Sequence, residues 1–249
     1  MPHRLKFVVA YDGRGFSGWQ SQANGNAIQD ALERAFATIA NAIIRVHGAG
    51  RTDAGVHALG QCAHVDLPAR SIPAWQWREA LNGTLPATVR VLSCRYVPDT
   101  FHARFSAAGK IYRYRIWNAA VLPPLEHGKA WHVHAPLDVE RMEAEGALFV
   151  GTHDFASFAA NRGAPEKNTV RTIDNLRLQK TGRSLTIHVS GDGFLYKMVR
   201  LMVGALVECG RGRSAAGEIA DRLSAPKRFA SRGRCVAPAN GLFLVRVRY

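Results

Sequence analysis

The sequence predicts an α+β fold made of two similar split-βαβ-like halves, each an antiparallel sheet with helices on one face. Three observations carry that expectation. Within the first 100 residues the apolar patterns change period in the order strand, helix, strand, strand, helix, strand. A comparable series fills the rest of the chain, although the two series repeat in pattern and not in sequence. With 249 residues the chain is long enough to bury a core in one large domain or two small ones without disulfide staples.

The elements follow from local composition. Residues 5–10 form a β-branched and aromatic strand that ends in the turn signal Tyr11-Asp12-Gly13-Arg14-Gly15, followed by the loop Phe16-Ser17-Gly18-Trp19-Gln20. Asn26 is placed to cap a helix over 26–40, in which Ile28, Leu32, Phe36 and Ile39 make one buried stripe. Residues 42–46 read as a second strand and 61–67 as a third. Residues 74–81 read as a short helix bearing Trp75 and Trp77, and 89–97 as a fourth strand. A boundary near residues 98–110 then separates halves 1–104 and 105–249. The later half holds strands at 111–117, 170–179, 184–189 and 242–249, with helices at 138–149, 196–209 and 214–223.

Charge points to a polyanionic partner. The chain has 33 Lys and Arg against 19 Asp and Glu, a formal +14. Of these, residues 1–100 hold 10 basic and 7 acidic side chains, which leaves 23 and 12 for residues 101–249. With no basic amphipathic anchor in view, such an excess favours nucleic acid over anionic membrane. Cys62, Cys94, Cys209 and Cys235 are too widely spaced for a zinc ribbon or a C-x-x-C pair and read as reduced thiols. The N-terminus leads straight into a strand pattern and no apolar run is long enough to span a membrane, so a cytoplasmic location is expected.

One segment concentrates chemical potential: Gly48-Ala49-Gly50-Arg51-Thr52-Asp53-Ala54-Gly55-Val56-His57-Ala58-Leu59-Gly60-Gln61. Its glycines allow close backbone approach, and they frame a single carboxylate, Asp53. A phosphate cradle is excluded, because Asp53 stands where a third glycine would be needed and no Gly-Lys-Ser/Thr follows. A plain polar loop in which Asp53 makes a turn remains the simpler alternative. A metal site at His57, His64 and Asp66, or at His132-x-His134, lacks a paired Cys set or a His-Glu-x-x-His helix.

Three further stretches combine aromatic and cationic residues. Phe101-His102-Ala103-Arg104-Phe105 suits stacking on unpaired bases and contact with phosphates. In Lys110-Ile111-Tyr112-Arg113-Tyr114-Arg115-Ile116-Trp117, alternation puts Tyr112 and Tyr114 on one face and Arg113, Arg115 and Trp117 on the other. The helix over 196–209 is apolar around all but a strip containing Lys197, Arg200, Gly204 and Arg211. Arg200 is therefore expected to need a carboxylate, with Asp192 and Glu208 as local candidates.

Together these segments resemble the tRNA pseudouridine synthase A family. The resemblance rests on Tyr11-Asp12-Gly13 with Phe16-x-Gly18-Trp19-Gln20, on the block Gly50-Arg51-Thr52-Asp53-Ala54-Gly55-Val56-His57-Ala58, on Phe101-His102-Ala103-Arg104-Phe105 and on Met198-Val199-Arg200. The chain departs from the family pattern at Lys110-Ile111, where a more arginine-rich approach is expected. The resemblance implies isomerisation of uridine to pseudouridine at positions 38, 39 and 40 in the anticodon arm of tRNA, without cofactor or metal. It implies a sheet shared by the two halves, a central RNA-binding cleft, and a homodimer in which one tRNA contacts both subunits. By the same resemblance Asp53 is the essential nucleophile or base, and Arg200 pairs with it in place of a local acid. Tyr112 stacks on the target uracil and Arg51 supports the flipped nucleotide. Phe101, His102, Ala103, Arg104 and Phe105, with the basic loop around Arg162 and Lys167, hold the tRNA. Two other readings of the same residues are a non-catalytic RNA-binding protein and a metal-dependent nuclease using Asp53, His57 and His64.

Overall fold

Strand alternation and helical periodicity are realised as ten strands and five α-helices among the described residues. The computed structural model describes residues 3–23, 25–68, 72–160, 168–215, 217–226 and 235–249. Its strands are β1 (His3–Tyr11), β2 (His47–Gly48), β3 (His57–Leu67), β4 (Val89–Tyr96), β5 (Gly109–Asn118), β6 (Trp131–Val133), β7 (Gly151–Asp154), β8 (Val170–Thr181), β9 (Ser184–Gly191) and β10 (Leu242–Arg248). Its helices are α1 (Ile28–Ala40), α2 (Ala74–Thr84), α3 (Val139–Ala147), α4 (Met198–Gly210) and α5 (Glu218–Ser224). The fold class is α+β, as expected. Two compact units divide the chain: Met1–Ala108 with Phe243–Tyr249, and Gly109–Leu242.

In the first unit β1 lies between β3 and β4, antiparallel to both, and β10 joins β3 in parallel through Phe243 opposite His57 and Leu244 opposite Ala58. Leu5, Phe7, Val9 and Tyr11 alternate inward along β1 and are all buried. Phe36 of α1 packs between Phe7 and Trp77 of α2 with its ring tilted against both, at centroid distances of 5.3 and 5.5 Å. Both helices therefore cover the same face of this sheet. The N-terminus of α1 departs from expectation: Asn26 donates to the Gly15 carbonyl, and the cap is made by Asp30, which accepts from the Ala27 amide at 2.8 Å. The strand expected at 42–46 is also absent. Ile44 and Val46 are buried in alternation, but the Val46 amide donates to Glu33 Oε1 and its carbonyl accepts from Gln29 Nε2. Ladder pairing begins only at His47.

In the second unit β9 lies between β5 and β8, antiparallel to both, and β7 extends the sheet beyond β8. Tyr112, Tyr114 and Ile116 of β5 and Leu185, Ile187 and Val189 of β9 are buried on one face, while Arg113 and Arg115 alternate away from it. All but two residues of α4, Arg200 and Glu208, are buried, which fulfils the expectation of a helix apolar over most of its circumference. Helix α3 packs against α4 and β8. Asp138, expected as a helical residue, instead caps α3 by accepting from the Arg141 amide at 3.0 Å. The short strands β6 and β7 have no counterpart in the sequence expectation.

Candidate active site

Asp53 stands in the loop between β2 and β3. The Val56 amide donates to the Asp53 carbonyl at 3.1 Å, and Gly55 follows the aspartate at φ 78°, so the carboxylate is borne on a closed turn. Asp53 is half-buried between exposed Arg51 and exposed Ala54. Arg51 Nε donates to Gln20 Oε1 at 3.1 Å. Not every glycine of the block serves a ligand. A Cβ on Gly48 would stand 2.5 Å from the Trp19 ring, and one on Gly60 would stand 2.6 Å from the Val245 carbonyl. These two admit neighbouring parts of the protein itself, so the close approach expected of the block's glycines is, at Gly48 and Gly60, an approach within the fold.

The histidines near Asp53 have structural work. His57 is buried, its Nδ1 accepts from the Gly13 amide at 3.3 Å, and its ring stacks on Phe243 with centroids 4.6 Å apart. His64 Nδ1 accepts from the Ala103 amide at 3.2 Å. Burial, reinforced by the Arg4 guanidinium, pushes the His64 imidazole down to about 4. Asp66 is held by Arg4 through two bonds of 2.7 and 2.9 Å. His132 and His134 turn ring nitrogens toward the Ala119 and Ala120 carbonyls. Among the described residues no group of three or more His, Cys, Asp or Glu side chains is arranged to hold a metal ion. Burial also raises the thiols of Cys62, Cys94 and Cys235, Cys94 to about 12, which disfavours their thiolates.

The segment from Phe101 to Phe105 is tied to the first unit at several points. Arg4 Nη1 donates to the carbonyls of Asp99 and Phe101, His102 Nδ1 accepts from the amides of Arg104 and Phe105, and the Tyr249 hydroxyl donates to the Ala103 carbonyl at 2.8 Å. Ala103 is fully buried, with both backbone groups engaged inside the protein. Within the loop Ala103 thus serves as an anchor. The groups the loop presents outward are Arg104 and Phe105, the latter 78% exposed and stacked on His102 at 4.3 Å.

In the second unit Tyr112 meets the segment that leads into α4. Tyr112 is buried and packs edge-on against Phe194, which precedes α4, at 5.0 Å. Arg200, in the first turn of α4, donates from Nε to the Ala237 carbonyl at 2.7 Å, and the Ala237 amide donates back to the Arg200 carbonyl. Gly204 lets this segment run close, since a Cβ there would collide with the Cys235 carbonyl. The two acids expected as local partners are engaged elsewhere: Glu208 lies 3.3 Å from Arg211, and Asp192 accepts from the Thr172 amide. Tyr114, on the face of Tyr112, is wholly buried and donates to the Pro238 carbonyl, so its role is structural. Arg162 and Lys167 lie outside the described residues. Asp53, Arg51 and the Phe101 loop belong to the first unit, and Tyr112 and Arg200 to the second. Sequence reasoning missed Phe194 as the neighbour of Tyr112 and Ala237 as the brace of Arg200; both contacts arise only on folding.

A family model described as tRNA pseudouridine synthase matches residues 7–106 and 147–249. A protein of Akkermansia muciniphila named tRNA pseudouridine synthase A is 49% identical, the match covering 99% of this chain and 95% of that one. Proteins of the same name from Methylacidiphilum infernorum and Bradyrhizobium diazoefficiens are 45% and 44% identical, over 98% and 99% of this chain and 94% and 99% of theirs. Among solved structures, a chain of a Cbf5-Nop10-Gar1 complex aligns with a TM-score of 0.38 and 13% identity, covering 82% of this chain and 45% of that one.

Proposed function

The chain belongs to the tRNA pseudouridine synthase family, and from that premise we propose that it isomerises uridine to pseudouridine at positions 38, 39 and 40 in the anticodon stem-loop of tRNA. The observation that carries this reading is Asp53, a half-buried carboxylate on a closed turn whose neighbouring histidines are occupied in packing. The N1 to C1′ bond breaks, the uracil turns, C5 joins C1′, and the proton leaving C5 is balanced by one gained at N1. Asp53 acts as nucleophile or base, roles open to an ionised carboxylate. Arg200 pairs with it and favours the charged form when substrate excludes water. Tyr112 stacks on the uracil and assists loss of the C5 proton.

A paired uridine has to leave its stack to react, at a cost of a few kcal/mol offset by stacking and phosphate contacts. Arg51 supports the displaced nucleotide. Phe101, His102, Arg104 and Phe105, held in place by Ala103, grip the anticodon arm, and Arg162 and Lys167 add phosphate contacts. The reaction proceeds in the cytoplasm without cofactor or metal, on a homodimer whose subunits share one tRNA. Mapping pseudouridine in tRNA from cells lacking this protein tests the reading: positions 38 to 40 are expected to revert to uridine, and their full modification would overturn it.

A further inference from the structure

Two strands of the first unit send buried polar side chains into the loop that carries Asp53. Tyr11, at the end of β1 and 4% exposed, places its hydroxyl 2.8 Å from Thr52 Oγ1. Gln61, on β3 and fully buried, donates from Nε2 to the Gly50 carbonyl at 2.9 Å and accepts the Cys62 amide at 3.1 Å. The pair thus grips the chain on both sides of Arg51, immediately before Asp53. From the facing loop the Trp19 amide donates to the Thr52 carbonyl at 3.0 Å. Gly18, at φ 98°, lies so close that a Cβ there would stand 2.6 Å from that carbonyl oxygen and 3.1 Å from the Asp53 carbonyl carbon.

Apolar side chains at positions 11 and 61 would fill the core without needing partners, whereas a buried hydroxyl and amide are tolerable only when bonded. Their bonds are directional, and they end on the two residues that set where Asp53 begins. A carboxylate that attacks or deprotonates depends on that placement, since a misplacement of about 1 Å costs about 100-fold in rate. We infer that Tyr11, acting through Thr52 beside the Gln61 hold on Gly50, is a positioning residue that holds the Asp53 carboxylate at the reacting uridine without touching substrate. The inference rests on the reading of Asp53 as the reacting carboxylate.

Steady-state kinetics with tRNA test it in Tyr11→Phe, Thr52→Val, the double variant and Thr52→Ser, with folding followed by circular dichroism. Tyr11→Phe and Thr52→Val are each expected to lower kcat about 10- to 100-fold while KM stays within about twofold. The double variant should be no worse than the poorer single one, because both remove one contact. Thr52→Ser, which keeps the hydroxyl, should recover most of the kcat lost in Thr52→Val. Normal kcat in the folded single variants, or losses that multiply in the double variant, would overturn the inference. If Tyr11→Phe does not fold, the contrast between Thr52→Val and Thr52→Ser decides it. Asp53→Asn run beside them separates the two levels: normal turnover there removes the reading of Asp53 itself, whereas an inactive Asp53→Asn beside fully active Tyr11→Phe and Thr52→Val removes only the positioning role.

Discussion

The Arg200 guanidinium is braced by Ala237, and in the proposed reaction its charge keeps Asp53 ionised. Arg200→Met is expected to lower conversion about 100-fold or more with tRNA affinity nearly unchanged; single-turnover rates compared with binding isotherms check this, and unchanged turnover removes Arg200 from the site. A second residue, His64, sets a pH limit on stability. Its imidazole is held below the unfolded value by burial first and then by Arg4, His47 and His102, with Asp66 acting in the opposite sense. The unfolded chain therefore takes up the proton first as the solution is acidified. The stability contributed by neutral His64 is complete above about pH 6.5 and is lost as the pH falls toward about 4. The loss is on the order of 3 kcal/mol once the pH is below about 4. Urea midpoints at pH 7 and pH 5 should differ less in His64→Gln than in the parent chain, and an equal difference would assign the acid sensitivity elsewhere.

At the scale of elements, the first unit depends on two helices closing over Phe7. Phe36→Ala removes the ring shared between β1 and α2 and should cost about 3–5 kcal/mol, read as a lower denaturation midpoint at constant slope; a loss below about 1 kcal/mol would show that the two helices do not depend on that ring. The same elements show what sequence can and cannot reveal. β1 and α1 were legible because their apolar residues recur at the period of the element and their burial follows that period, and α4 because its apolar residues run around nearly the whole helix, which is buried on all but Arg200 and Glu208. Residues 42–46 misled for the same reason: Ile44 and Val46 alternate inward like a strand, yet side chains of Glu33 and Gln29, not a neighbouring strand, satisfy the backbone. β6 and β7, at 3 and 4 residues, are too short to leave a periodic trace. Asp53 stood out as a candidate because the residues around it are contiguous in sequence. The Tyr11 to Thr52 contact was not, because it joins positions 41 apart that only the sheet brings together.

For the whole molecule, a formal charge of +14 makes association with a polyanion strongly dependent on salt. Logarithmic affinity for tRNA should fall linearly with logarithmic salt concentration, and Arg104→Ala, on the exposed side of the anchored loop, should reduce the slope by about 1. A slope unaltered by that substitution would place the phosphate contacts on other cations. Among the described residues no helix is long and apolar enough to cross a membrane. Asp53 lies in one unit and Tyr112 and Arg200 in the other, and no local spacing connects them, so the proposal that they act together came from the family pattern and not from the residues alone. In the proposed reaction Asp53 carries the chemistry. Purified Asp53→Asn incubated with uridine-labelled tRNA measures this directly: tRNA should still be bound with no pseudouridine formed, and conversion at the rate of the unaltered protein would remove Asp53 from the reaction.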